Sequence, residues 1–302
     1  MLDILMRAGS FIAIIALGFL LRRVGFFKAQ DFDVLAKISI RITLPCAIIT
    51  SFAGKTIDPA LLSLPLMAIA CGAVYAAAGW LLGRGRGREA QAFSMLNLAG
   101  YNIGTFVIPF AQSFLGAAGV VAVSIFDTGN ALICLGGVFS LACMVKDGGG
   151  FSAKRVIRSL CTSVPFITYM LMLTMNLTKI PVPAFVLSVA EVGGGANAFM
   201  AMLMIGVGFR LEFNREQLTA IARIVSIRYA LATIFALAYY FLTPFALEVR
   251  QALVILAFAP IGSAVPAFTR EMNSDSGLAS VINSVCMVIS IAIIVSLLVI
   301  ML

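Results

Sequence analysis

Two short stretches, one in each half of the chain, carry residue types suited to binding an anion inside a membrane. The first holds Asn102, Gly104 and Pro109; the second holds Pro260, Gly262, Ser263 and Pro266. In both, a glycine is followed a few residues on by a proline within an otherwise apolar run. A break in such a helix frees backbone N–H and C=O groups, which survive at membrane depth only inside protein or beside a watery cavity. Proline suits the first turn of a helix, and a helix N-terminus attracts anions. Pro109 and Pro266 are therefore expected to open the second halves of two split helices, with the two N-termini meeting around a negatively charged ligand. The Asn102 amide can donate to a carboxylate and accept from a hydroxyl. Ser263 is the nearest polar group at the second break. Backbone repair is the competing role for both.

Ionisable residues inside apolar runs are costly and mark functional sites by default. Arg41, four residues before Pro45, is a candidate to neutralise an anionic substrate or to pair with Asp127 or Glu191. Asp127 and Glu191 are candidates to couple transport to a proton. Asp127, Asn130 and Asn283, with carbonyls freed at the breaks, offer oxygen ligands for sodium instead. A fixed ion pair between helices is the structural alternative. Arg228 sits nearer the end of its apolar run, where a long side chain can snorkel to water. Gly193, Gly194 and Gly195 let another helix approach closely or let their own unwind, close packing being the favoured reading.

Positioning such groups takes a bundle of membrane helices. The chain is 62% hydrophobic and 11% charged, with a mean hydropathy of +1.08, against about 25% charged for soluble domains. Its 302 residues hold roughly ten spans of about 20 residues. Helices are expected at 4–21, 34–52, 60–82, 90–115, 117–143, 159–178, 184–208, 220–243, 249–272 and 277–301. The first is read as a retained helix, because Asp3 stands where a signal peptide would be basic and Arg22–Arg23 follow the apolar run. The net charge of +8 falls in clusters between apolar runs, the pattern of a membrane protein's cytoplasmic loops, which argues against nucleic acid as partner. There is no histidine, so histidine catalysis and metal ligation are excluded. The cysteines Cys46, Cys71, Cys134, Cys143, Cys161 and Cys286 are scattered through apolar segments without a C-x-x-C. No phosphate-binding G-x-x-x-x-G-K-[ST] occurs. No enzyme activity and no cofactor are expected.

The loops orient the chain. Arg22, Arg23 and Lys28 lie between the first and second helices; Arg84, Arg86 and Arg88 between the third and fourth; and Lys146, Lys154, Arg155 and Arg158 between the fifth and sixth. Arg210, Arg215 and Arg223 lie between the seventh and eighth, and Arg270 after the ninth. The alternate loops hold only Lys55, Lys179 and Arg250. The basic loops are read as cytoplasmic and both termini as outside. Five helices per half then force the halves into opposite orientations, an inverted repeat of the kind alternating-access carriers use. The expected units are 1–145, a cytoplasmic connector at 146–158, and 159–302. Gly104 and Pro109 align with Gly262 and Pro266, and Asn130 with Asn283.

Several stretches resemble the auxin efflux carrier family: Ile42–Pro45, Asn102 seven residues before Pro109 with Phe110 to Gly116 following, Leu203–Gly206, and Val265–Glu271 with Gly277–Ser280. The resemblance covers nearly the whole chain in order and spacing. It implies ten helices with two broken crossover helices, the fourth and ninth, an organic anion beside the crossover, secondary transport across the cell membrane and possible homodimers. Membrane lipid is the surrounding partner. Ala198 replaces a proline found in many members, the second break has no counterpart of Asn102, and the long cytoplasmic loop of plant members is absent. These departures favour a small mono- or dicarboxylate over auxin. The bile acid sodium symporters share the implied architecture, so sodium-coupled symport is the rival reading. A membrane receptor that binds without transporting is another.

Overall fold

The computed structural model describes residues 2–28, 30–209 and 215–301. Arg210 lies outside them. The described residues contain helices and no strand. The elements are α1 (Leu2–Arg23), α2 (Asp31–Ile38), α3 (Leu44–Phe52), α4 (Leu64–Gly83), α5 (Arg88–Leu98), α6 (Ile108–Phe110), α7 (Gly116–Leu132) and α8 (Val138–Asp147). They continue with α9 (Ala153–Thr162), α10 (Val164–Leu177), α11 (Ala184–Gly195), α12 (Asn197–Gly208), α13 (Leu218–Leu242), α14 (Leu247–Ala257), α15 (Val265–Glu271) and α16 (Ser276–Met301). Every segment expected from the sequence to be helical has a helical counterpart. Among the described residues, six runs are long and apolar enough to cross a membrane, seven if α9 and α10, bent by 73° at Ser163, count as one. One of the six, Arg88–Asp147, has 60 residues. Straight, it would measure about 90 Å, three times about 30 Å of hydrocarbon, and it is interrupted at 99–102.

Proline and glycine set the interruptions. A proline inside a helix lacks an N–H and crowds the carbonyl four residues back. Pro45 and Pro109 each follow a π turn, Ser39–Thr43 and Ile103–Val107, whose wider winding relieves that crowding. Pro109 therefore lies inside the second half of its split helix, which begins at Ile103, and does not open it as expected. Pro266 does sit in the first turn of α15. The segment expected as a connector at 146–158 holds the start of α9. Its first turn is capped by the Ser152 hydroxyl, which accepts from the Arg155 N–H at 3.4 Å. Val156 and Leu160, one turn apart, pack against Ala131 and Leu135. Three consecutive glycines and four cations hid this amphipathic helix in the composition.

Small residues bring helix axes together where lipid gives no hydrophobic drive. In α1 against α12, a Cβ on Gly18 would stand 2.5 Å from the Leu203 carbonyl oxygen, and one on Gly206 would strike the Ile15 carbonyl. In α11 against α3, a Cβ on Gly194 would lie 3.1 Å from Ala47 Cα. The close-packing reading of the glycine triplet thus holds at Gly194. Helices α1, α2, α3, α10, α11 and α12 pack on one another; α4, α5, α7, α8, α13, α14 and α16 form a second group around the breaks.

Gly206→Val is expected to destabilise the protein by about 1–3 kcal/mol through overpacking. Gly195→Ala, where a Cβ meets nothing within 4 Å, is expected to be neutral. Equal thermal melts for the two variants in detergent would refute the backbone contact between α1 and α12.

Candidate functional site

The two breaks meet. Residues 99–102 separate α5 from the π turn at Ile103, and 258–264 separate α14 from α15. Gly100 adopts φ +81, a left-handed conformation natural to glycine. The chains cross where the Asn102 N–H donates to the Pro260 carbonyl at 2.9 Å. The Asn130 carboxamide pairs with both backbone groups of Tyr101: its oxygen accepts from the Tyr101 N–H at 3.0 Å and its nitrogen donates to the Tyr101 carbonyl at 2.9 Å. Asn130 is therefore a backbone-repair residue, holding the first break open.

Arg228 does the larger repair. Its guanidinium donates to the carbonyls of Leu98 at 2.6 Å, Gly100 at 3.0 Å and Ala259 at 2.8 Å. Leu98 is the last residue of α5, and Gly100 and Ala259 lie inside the two breaks, just beyond the ends of α5 and α14, where the negative ends of the helix dipoles point. The Tyr75 and Tyr101 rings lie 5.2 and 5.5 Å from its central carbon, in cation–π range. Its side chain is buried, at 1% exposure, and so does not snorkel as expected. The signal was present in the sequence: position 228 is eleven residues into the 25-residue α13, too deep for its stem to reach water.

Two cavities adjoin the crossover, and both are lined by Asn102 and Ser263. The larger, about 310 Å³, includes Pro266, Asn283, Ser280 and Ser284, with Arg22, Asp33 and Arg270 also in its walls. The smaller, about 130 Å³, is lined by Gly104, Asp127, Asn130, Tyr169 and Gly262. Asn102 is 4% exposed and Asn283 7%. The Asn102 side-chain oxygen accepts from the Thr105 hydroxyl at 2.6 Å, while its amide nitrogen has no partner among the described residues; nor does the side-chain oxygen of Asn283. Buried polar groups left unsatisfied are uncommon and call for an explanation. Asp127 accepts from the Asn130 amide at 2.8 Å and the Tyr169 hydroxyl at 2.9 Å.

The structure thus gathers Asn102, Gly104, Asp127, Asn130, Gly262, Ser263, Pro266 and Asn283 around one crossing. It leaves out three expected residues. Pro109 is buried beyond the break and lines neither cavity. Arg41 is exposed beside Asp33 and Lys37 and lines neither cavity, although Asp33 is shared with the larger one. Glu191 is exposed on α11. Arg41 and Glu191 are therefore not a buried pair for Asp127; the phase of the π turn Ser39–Thr43 and of α11 turns them from the breaks. Sequence reasoning also missed a buried polar bridge between the two helix groups. Thr43 donates to the Asn197 oxygen at 3.1 Å, and the Asn197 amide donates to the Gln112 oxygen at 3.0 Å.

Residues 4–146 match the membrane transport protein family. The family resemblance read from the sequence is borne out over that stretch. An uncharacterized transporter of Methanothermobacter thermautotrophicus (strain Delta H) is 22% identical over 209 residues, covering 68% of this chain and 67% of its own. With its apolar helices, the chain is a multi-pass membrane protein of transporter type.

Arg228→Leu would leave three buried carbonyls without a donor, each costing about 1–3 kcal/mol. Loss of most folded protein is expected, with Arg228→Lys recovering part of it, since an ammonium lacks the guanidinium fork. A parent-like melt for Arg228→Leu would remove this residue as the clamp of the breaks.

Proposed function

We propose that the chain is a secondary transporter of a small carboxylate, bound at the crossover against Asn102 and Ser263. The observation that carries the reading is the unpartnered amide nitrogen of Asn102 in the wall common to both cavities. A carboxylate oxygen completes it, and a hydrogen bond to a charged acceptor is about twice as strong as a neutral one. Ile103, Gly104 and Thr105, which open the second half-helix, line the smaller cavity, and a helix N-terminus adds positive partial charge there. Arg270 and Arg22 give the larger cavity a cationic approach, tempered by Asp33. The Arg22 guanidinium is itself held by the Val207 carbonyl at 2.7 Å.

Ten spans in two inverted five-helix repeats, 1–145 and 159–302, fit the packing. The pairing of α1 with α12 has its counterpart in α10 with α3; α4 with α5 in α13 with α14; α4 with α7 in α13 with α16. Each exchange follows from matching the first half to the second in order. In this reading the basic loops face the cytoplasm, both termini face outside, and the protein sits in the cell membrane. The group holding α1, α3, α10 and α12 stays fixed while the group holding the breaks rocks against it, the Thr43–Asn197–Gln112 bridge lying at their boundary. A site with a cavity on each side of one wall suits alternating access. Asp127, beside the smaller cavity, is the candidate for coupling to protons.

The orphan oxygen of Asn283 favours a second reading, sodium-coupled symport. A buried acceptor near the Ser280 and Ser284 hydroxyls suits a hard cation with oxygen ligands.

Asn102→Ala is expected to weaken carboxylate binding about 10- to 100-fold, as for loss of one hydrogen bond to a charged group, and to abolish uptake into liposomes while leaving the unliganded melt within a few degrees of the parent's. Thermal-shift titration against mono- and dicarboxylates in sodium and in potassium buffers reads both. Unimpaired uptake by Asn102→Ala sinks the site. Uptake that is indifferent to sodium but lost in Asp127→Asn selects proton coupling; uptake that needs sodium and fails in Asn283→Ala selects symport.

A further inference from the structure

A further cavity lies away from the crossover. It measures about 700 Å³ and lies between the segment after α3 and the segment joining α10 to α11. None of its lining residues lines either crossover cavity. Phe52 and Met172, both buried, Met175 and Leu187 give it apolar walls. Lys55 and Lys179 enter it from different halves of the chain. They are two of the three cations in the sparsely charged loops, so their convergence is not a by-product of a basic surface. The Asn176 amide fastens the two segments together, donating to the carbonyls of Lys55 and, at 3.3 Å, of Phe52. The nearby acid Asp58 is turned to its own helix, accepting from the Ala60 N–H at 2.9 Å, and does not line the cavity.

An apolar chamber with two ammonium groups and no carboxylate in its lining is complementary to an amphiphile with an anionic head. Its volume falls within the range of about 300–1,000 Å³ typical of small-molecule sites, which suits one alkyl chain and not a two-chain phospholipid. We propose that this cavity binds a single-chain alkyl carboxylate, its chain against Met172 and Phe52 and its head between Lys55 and Lys179. The site is independent of the crossover and does not require that transport reading to hold.

The test uses the full chain in phosphatidylcholine nanodiscs, with radiolabelled octanoate, decanoate and dodecanoate and with empty nanodiscs as background. Saturable binding of one decanoate per chain is expected, tightening about fourfold for each added methylene that is buried. The double substitution Lys55→Gln/Lys179→Gln is expected to weaken it about fivefold or more, and decanol is expected to compete more weakly than decanoate by a similar factor. Met172→Trp, which fills the floor and leaves the lysines in place, is expected to abolish it, whereas Asn102→Ala leaves it unchanged. No saturable binding above background overturns the proposal. So does binding that persists unchanged in both the double variant and Met172→Trp. Loss in Asn102→Ala would move the ligand to the crossover, and displacement by phosphatidylglycerol would make the occupant a lipid; either result also overturns it.

Discussion

Arg228 is the interaction on which the rest depends. Two helices stop within the interior, and each stop strands carbonyls that neither lipid nor water can satisfy. One guanidinium reaches the ends of both, because its fork of donors spans Leu98, Gly100 and Ala259 at once. A buried cation with no carboxylate would ordinarily be prohibitive. Here its counter-charge is distributed over three carbonyl dipoles, one at the end of α5 and one inside each break, and two tyrosine faces. The same bonds that make the charge tolerable fix the two breaks against each other, so the crossing is rigid without covalent linkage.

Once the C-terminal ends are neutralised, what remains at the crossing is polar in the opposite sense. The Asn102 amide nitrogen points to no acceptor, and the second half-helix presents N–H groups from Ile103 onward. Arg228 and Asn130 satisfy the backbone, which leaves Asn102 over. That division of labour between two asparagines, one consumed by repair and one unspent, separates framework from site. Asn283, aligned with Asn130 by sequence, does not share its role: its oxygen has no partner, and it lines the larger cavity.

Around the crossing, glycines set which surfaces are fixed. Contacts of backbone on backbone, as at Gly18 with Leu203 and Gly206 with Ile15, do not slide easily. The boundary between the two helix groups includes instead the Thr43–Asn197–Gln112 bridge, a chain of hydrogen bonds whose members can exchange partners. Rigid interiors joined through a polar boundary are the arrangement in which one body can move against another.

By itself the sequence determined the environment and the places where helices fail. Apolar run lengths marked the long membrane helices though not the amphipathic start of α9, and the Gly/Pro pairs marked both breaks, because these follow from local chemistry: the cost of a backbone group in hydrocarbon and the missing N–H of proline. Asn102, Gly262, Ser263 and Pro266 were legible for that reason. Tertiary structure alone decided the roles of the charged residues. Arg41, Asp127, Glu191 and Arg228 look alike as ionisable groups in apolar runs, yet two are exposed, one lines a cavity and one is the central clamp. Pro109 was misplaced by one turn and more, since a π turn shifts where a helix can begin without altering the composition. Which way a side chain faces depends on the phase of its helix against neighbours distant in sequence, and which carbonyls it meets depends on how two breaks far apart in the chain are brought to one point.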